Sequence, residues 1–112
     1  MRAEELKGHL DAVLLAALEG GPRHGYAVIE ALRQSTGGQL DLPTGTIYPA
    51  LRRLEQAGLI TGSWSVVGGR RRREYRLTPA GSRALTGRRA DWRDFSAMVS
   101  AALEGGPCPS PA

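Results

Sequence analysis

The hydrophobic period of this chain changes twice, and those changes fix the order of its elements. Up to Gly58 the apolar residues recur at helical spacing: Leu10, Val13, Leu14, Ala17 and Leu18 form one stripe, Tyr26, Ile29 and Leu32 a second, Ile47, Leu51 and Leu54 a third. Gly20-Gly21-Pro22, Gly37-Gly38 and Gly58 end these runs, because Gly accepts the left-handed cap and Pro cannot continue a helix. From Ile60 the period drops to two. Ile60, Trp64 and Val66 fall on one side of an extended segment, and Thr61, Ser63 and Ser65 on the other. Gly68-Gly69 supply a turn, after which Arg73, Tyr75 and Leu77 share one face and Arg72, Glu74 and Arg76 the other. At Thr78-Pro79 the helical pattern returns: Thr can cap the open amides, and Pro fits the first helical position, where its missing N–H costs nothing.

Three helices, a hairpin and a further helix predict a mainly α fold with a β-hairpin wing. In this reading residues 1–78 form a winged helix-turn-helix domain whose second and third helices are the helix-turn-helix pair and whose hairpin is the wing. Residues 79–104 form a C-terminal dimerisation helix, and 105–112, with three Pro and two Gly, a disordered tail. The connection at 37–42 is longer than in a minimal helix-turn-helix. At 112 residues and 12.0 kDa there is room for one small domain plus such a helix, and a chain this short gains from a partner subunit.

The charge is unevenly spread. Residues 1–51 carry four bases and six acids, net −2; residues 52–93 carry eleven Arg and three acids, net +8; residues 94–112 carry Asp94 and Glu104, net −2, which together give the +4 of the whole chain. A basic segment on a neutral frame is the electrostatic footprint of a polyanion binder.

Other classes find little support. The single cysteine, Cys108, allows no intrachain disulfide and no thiolate zinc site, which fits a reducing, cytoplasmic setting. The apolar run 12–18 is too short for a membrane span, and Asp11 and Glu19 around it spoil a signal peptide. His9 and His24 stand apart, one before a helix and one in a Gly/Pro turn, and both read as surface residues. No metal, phosphate-loop or nucleophile motif is present, so neither enzyme activity nor a cofactor is expected.

On the third helix Ile47, Leu51 and Leu54 point to the core, leaving Gly45, Pro49, Arg52 and Gln56 opposite, flanked by Thr46, Tyr48 and Arg53. Small residues at the start, with Thr44 and Thr46, let that end approach a groove, while Arg52, Arg53 and Gln56 offer long donors to phosphates and base edges. Tyr48 is either a packing residue or a phosphate donor. Pro49 costs ~3 kcal/mol in a generic helix interior, so something other than helix stability keeps it there. The run Arg70-Arg71-Arg72-Arg73 at the hairpin tip suits a duplex backbone or a minor groove. On the last helix Leu85, Trp92, Phe95, Val99 and Ala102 form a coiled-coil-like seam, expected to meet the same helix of a second subunit with help from Leu14. Trp92 and Phe95 also suggest an aromatic wall for a flat effector between subunits; plain dimer packing is the alternative.

These motifs resemble the PadR-type transcriptional regulators. The resemblance spans roughly residues 10–100 and rests on Gly25-Tyr26, the run Thr46-Ile47-Tyr48-Pro49-Ala50-Leu51-Arg52-Arg53-Leu54-Glu55, Gly58-Leu59-Ile60, the Gly-Arg wing and Tyr75-Arg76-Leu77-Thr78-Pro79-Ala80-Gly81. The length resembles the short subgroup with a single C-terminal dimerisation helix. The resemblance implies a homodimeric repressor that holds a palindromic operator in double-stranded DNA and lets go when a small molecule, in some members a planar aromatic one, binds at the dimer centre near Trp92. It also implies that the third helix enters the major groove, Tyr48 approaches a phosphate and the wing touches flanking DNA. Pro43 stands where the family often has a Ser or Asn cap, so the third helix must be capped otherwise or weakly. Gly87 weakens the last helix by ~1 kcal/mol relative to Ala and allows a bend. A winged-helix protein–protein module without DNA binding is the competing reading; a small-molecule-binding dimer with incidental DNA affinity is a further one.

Overall fold

The computed structural model describes residues 6 and 8–105; the tail expected over 105–112, with Cys108, lies outside the described residues except for Gly105. The helical stripes become α1 (Leu10–Ala17), α2 (Gly25–Ser35) and α3 (Thr44–Gln56). The period-two segment becomes the hairpin β2 (Ile60–Val67) and β3 (Arg70–Leu77), and α4 runs over Pro79–Leu103. The pattern did not reveal β1, the two residues Arg23–His24, which add to β3 and make an antiparallel sheet of order β1-β3-β2. Two residues are too short for any period to show. Among the described residues no helix is long and apolar enough to cross a membrane.

The core is the convergence of the three stripes with the base of the sheet. Leu14, Leu15 and Leu18 meet Val28 and Leu32, and Ile47, Leu51 and Leu54 close over them beside Ile60 and Tyr75. The long 37–42 connection is pinned rather than loose. Leu40 is buried in the core, and the Thr36 hydroxyl donates to the Leu32 carbonyl (2.7 Å) while accepting from the Leu40 amide (2.9 Å). Each buried aliphatic side chain contributes about 1.5–3 kcal/mol.

At the wing tip Gly68 (φ 59°) and Gly69 (φ 77°) are both left-handed, as a two-residue turn matching strand twist requires. The register pairs Ile60 with Leu77, Trp64 with Arg73 and Val66 with Arg71.

The start of α4 is locked by a compact joint. The Thr78 hydroxyl accepts from the Gly81 amide (3.0 Å) as the cap and donates to the Gly58 carbonyl (2.6 Å), while the Thr78 amide donates to the Leu59 carbonyl (3.1 Å). Gly81 sits against that carbonyl so closely that a Cβ there would lie 1.9 Å from the oxygen.

The placement of α4 corrects two expectations. Leu85 is 2% exposed and Leu14 is fully buried, so both belong to the core of one chain and offer no surface to a partner subunit. The first turns of α4 pack on α1 and the sheet, a neighbourhood that periodicity within α4 alone does not reveal. Beyond them α4 projects, giving extents of 72 × 28 × 21 Å and a radius of gyration of 17.4 Å, against ~13 Å for a compact chain of this length.

Two glycines of α4 separate these roles. Gly81→Ala forces a methyl into backbone and should cost about 1–3 kcal/mol, whereas Gly87 faces open space and Gly87→Ala should stabilise by about 1 kcal/mol. Thermal denaturation of both variants checks the opposite signs.

Candidate nucleic-acid interface

The exposed side of α3 carries the expected residues together. Tyr48, Pro49, Arg52, Arg53 and Gln56 line one shallow groove of about 300 Å³, and Ile47, Ala50, Leu51 and Leu54 bury the other side. The helix continues through Pro49, which leaves the Gly45 carbonyl without its usual helical donor. Pro43 is the N-cap and no side chain caps the first turn; the Pro43 carbonyl accepts from Thr46 (3.0 Å) and Ile47 (3.1 Å). Thr44 is exposed and Thr46 half-buried at that end.

Tyr48 is held by a void. A Cβ on Gly25 would lie 2.5 Å from its ring and hydroxyl, so the absent side chain of Gly25 is the seat in which the phenol rests. Burial, then Tyr26 and Tyr75, push the Tyr48 hydroxyl above the ordinary phenol value, and it stays a hydrogen-bond donor at neutral pH. Tyr26, which its spacing placed in the apolar stripe of α2, is instead 64% exposed and lies close enough to act on the Tyr48 hydroxyl.

The arginines differ in their partners. Arg53 pairs with Asp11 of α1, a contact across 42 residues that no local pattern displays. Glu55 braces the wing: it accepts from Arg73 (2.5 Å) and from the Gly62 amide (3.3 Å). Gly62 leaves room for this crossing, since a Cβ there would meet the Arg73 guanidinium at 2.6 Å. Arg52, Arg70, Arg71 and Arg72 have no acidic ion-pair partner among the described residues. Arg70 and Arg71 are exposed and Arg72 is half-buried.

The model of the PadR-like transcriptional regulator family matches residues 14–87. The chain belongs to this family. Transcriptional regulator Rv3488 of Mycobacterium tuberculosis is 47% identical over 64 residues, which are 57% of this chain and 47% of that protein. A crystal structure of a PadR family transcriptional regulator from Eggerthella lenta superposes with a TM-score of 0.79 at 33% identity, covering 90% of this chain and 87% of that one. A transcriptional regulator from Clostridium thermocellum gives a TM-score of 0.81 at 26% identity, covering 88% and 96%. The expected winged-helix fold and family therefore hold.

In this PadR-like chain His24 is not the idle surface residue that its turn suggested. It stands in β1 opposite Glu74, and its Nδ1 accepts from the Ala27 amide (3.4 Å) as the N-cap of α2. Burial, and then Arg72, hold its pKa below the ordinary value, while Glu74 opposes them. Neutral imidazole is thus favoured in the folded state, as a capping acceptor must be. A depressed folded pKa means the stabilisation is complete above the unfolded value of about 6.5 and is lost as pH falls through the lower folded one.

Stability measured by denaturant titration should fall as pH drops below about 6.5, and His24→Asn, which keeps a capping acceptor without titrating there, should flatten that part of the profile. Gly25→Ala should unseat Tyr48, whose ring has solvent to move into. DNA binding should then weaken by roughly three- to tenfold, the loss of one ordered side chain, while circular dichroism stays unchanged.

Proposed function

We propose that the chain works as a cytoplasmic homodimeric repressor that binds a palindromic operator in double-stranded DNA and is released by a small-molecule effector. The observation that carries the DNA part is the continuity of the exposed α3 face with the arginine wing, through the Glu55–Arg73 contact that fixes one against the other. In this reading α3 occupies the major groove with Thr44, Thr46, Tyr48, Pro49, Arg52 and Gln56 outward. Arg53 is shared between Asp11 and the backbone phosphates, and Arg70, Arg71 and Arg72 supply charge at the flank.

The projecting part of α4 supports the dimer. Trp92 and Phe95 are each 52% exposed, Met98 is exposed beside them and Val99 is half-buried, an apolar stripe that a second copy would cover. Ala102 continues it. Trp92 stands edge-on to His9 (5.2 Å between centroids) and tilted against Phe95 (6.2 Å), and this exposed aromatic group supports a planar aromatic effector at the dimer centre. An effector that shifts the spacing of two α3 helices needs a coupling of only about 1–3 kcal/mol.

Sedimentation velocity at micromolar concentration should give a dimer, and Phe95→Asp a monomer with lost operator affinity. On duplex DNA the wild type should lose affinity steeply with salt. Replacing Arg70, Arg71 and Arg72 by Ala should lower the log–log slope by about 0.9 for each phosphate contact removed. A monomeric wild type that retains no duplex even in dilute buffer overturns the proposal.

A further inference from the structure

The four wing arginines are consecutive in sequence, but the pleat of β3 divides them. Arg71 and Arg73 stand opposite Val66 and Trp64, on the face where Gly62 and Tyr75 look toward α3; Arg70 and Arg72 stand opposite Val67 and Ser65, on the other face. On the α3 side Trp64 is 59% exposed, an unusual position for an indole in a hairpin with a solvated tip. Two guanidinium groups lie over its ring, Arg71 at 4.8 Å and Arg73 at 5.6 Å from the centroid. Arg73 is already tied to Glu55. Arg71 has the indole but no acid among the described residues.

We infer that Trp64 is a positioning residue that holds Arg71, alone of the wing arginines, flat and extended for insertion into the DNA minor groove beside the half-site. A guanidinium stacked on an aromatic face keeps its in-plane N–H groups open to acceptors, and its rotamer freedom is reduced before DNA arrives. A cation so presented suits the narrow, strongly negative minor groove of A·T-rich steps, whose floor offers acceptors without the guanine amino group. Arg70 and Arg72 leave the opposite face and add charge without reading. The inference rests on the DNA-binding proposal above and goes further by naming which residue senses the flank.

The test uses the full chain and duplexes selected on it from random-sequence DNA. The recovered half-site is offered with A·T, G·C or inosine·C pairs under the wing; inosine presents an A·T-like minor groove on a C-pairing base. Wild type is expected to bind the A·T and inosine·C flanks alike and the G·C flank more weakly. Trp64→Ala and Arg71→Ala should each lose roughly three- to tenfold on the A·T flank and level the preference, Trp64→Phe should restore most of it, and Arg70→Ala should weaken all three duplexes equally. Melting curves for Trp64→Ala should match wild type, since the indole is outside the core. Equal wild-type affinity for all flanks, a retained preference in Trp64→Ala, or matching behaviour of Arg70→Ala and Arg71→Ala overturns the inference. Recovery of no duplex at all overturns the DNA-binding proposal and this inference with it.

Discussion

The close approach of Gly81 to the Leu59 carbonyl is the contact on which the rest of the arrangement depends. At that point the end of α3, the base of the wing and the beginning of α4 meet within a few residues, and Thr78 bonds to both Gly58 and the Gly81 amide. A methyl group there would push backbone from backbone, which no rotamer change can relieve. Helices α3 and α4 therefore hold a fixed mutual orientation, set by main-chain packing rather than by long side chains that could swing.

A second level of fixation is electrostatic. Glu55 leaves α3 to hold Arg73 and the Gly62 amide, and Asp11 leaves α1 to hold Arg53. These pairs are partly exposed, so each contributes little to stability. Their effect is on placement: they direct which guanidinium groups lie against the protein and which extend beyond it. Arginine abundance in the middle of the chain thus serves two purposes, bracing and presentation.

The elements were legible in the sequence because each carries its own period or punctuation: the three apolar stripes, the alternation after Ile60, the Gly68-Gly69 turn and the Thr78-Pro79 start. The gathering of Tyr48, Pro49, Arg52, Arg53 and Gln56 on one face was legible for the same reason, since one helix determines it. What escaped were relations between elements. β1 exists only because β3 is beside it, and His24 caps α2 from within that strand. Leu85 reads as a seam residue by spacing, with Leu14 of the first stripe expected to assist it, yet the packing of α4 on α1 encloses both. Asp11, Glu55, Gly25 and Gly62 gain their roles from residues up to 42 positions away, and a single glycine carries no mark of the ring or guanidinium that fills its space.

Mechanically, α4 is an arm clamped at Gly81. Its 25 residues span about 37 Å, and only the first two turns are enclosed; Arg89 on Glu19 and Trp92 on His9 act as surface stays farther out. Because that joint does not yield, a rotation of about three degrees of head and arm together moves the far tip by about 2 Å over that length. Any force on that tip is transmitted, with mechanical advantage, to the winged head from which the helix projects.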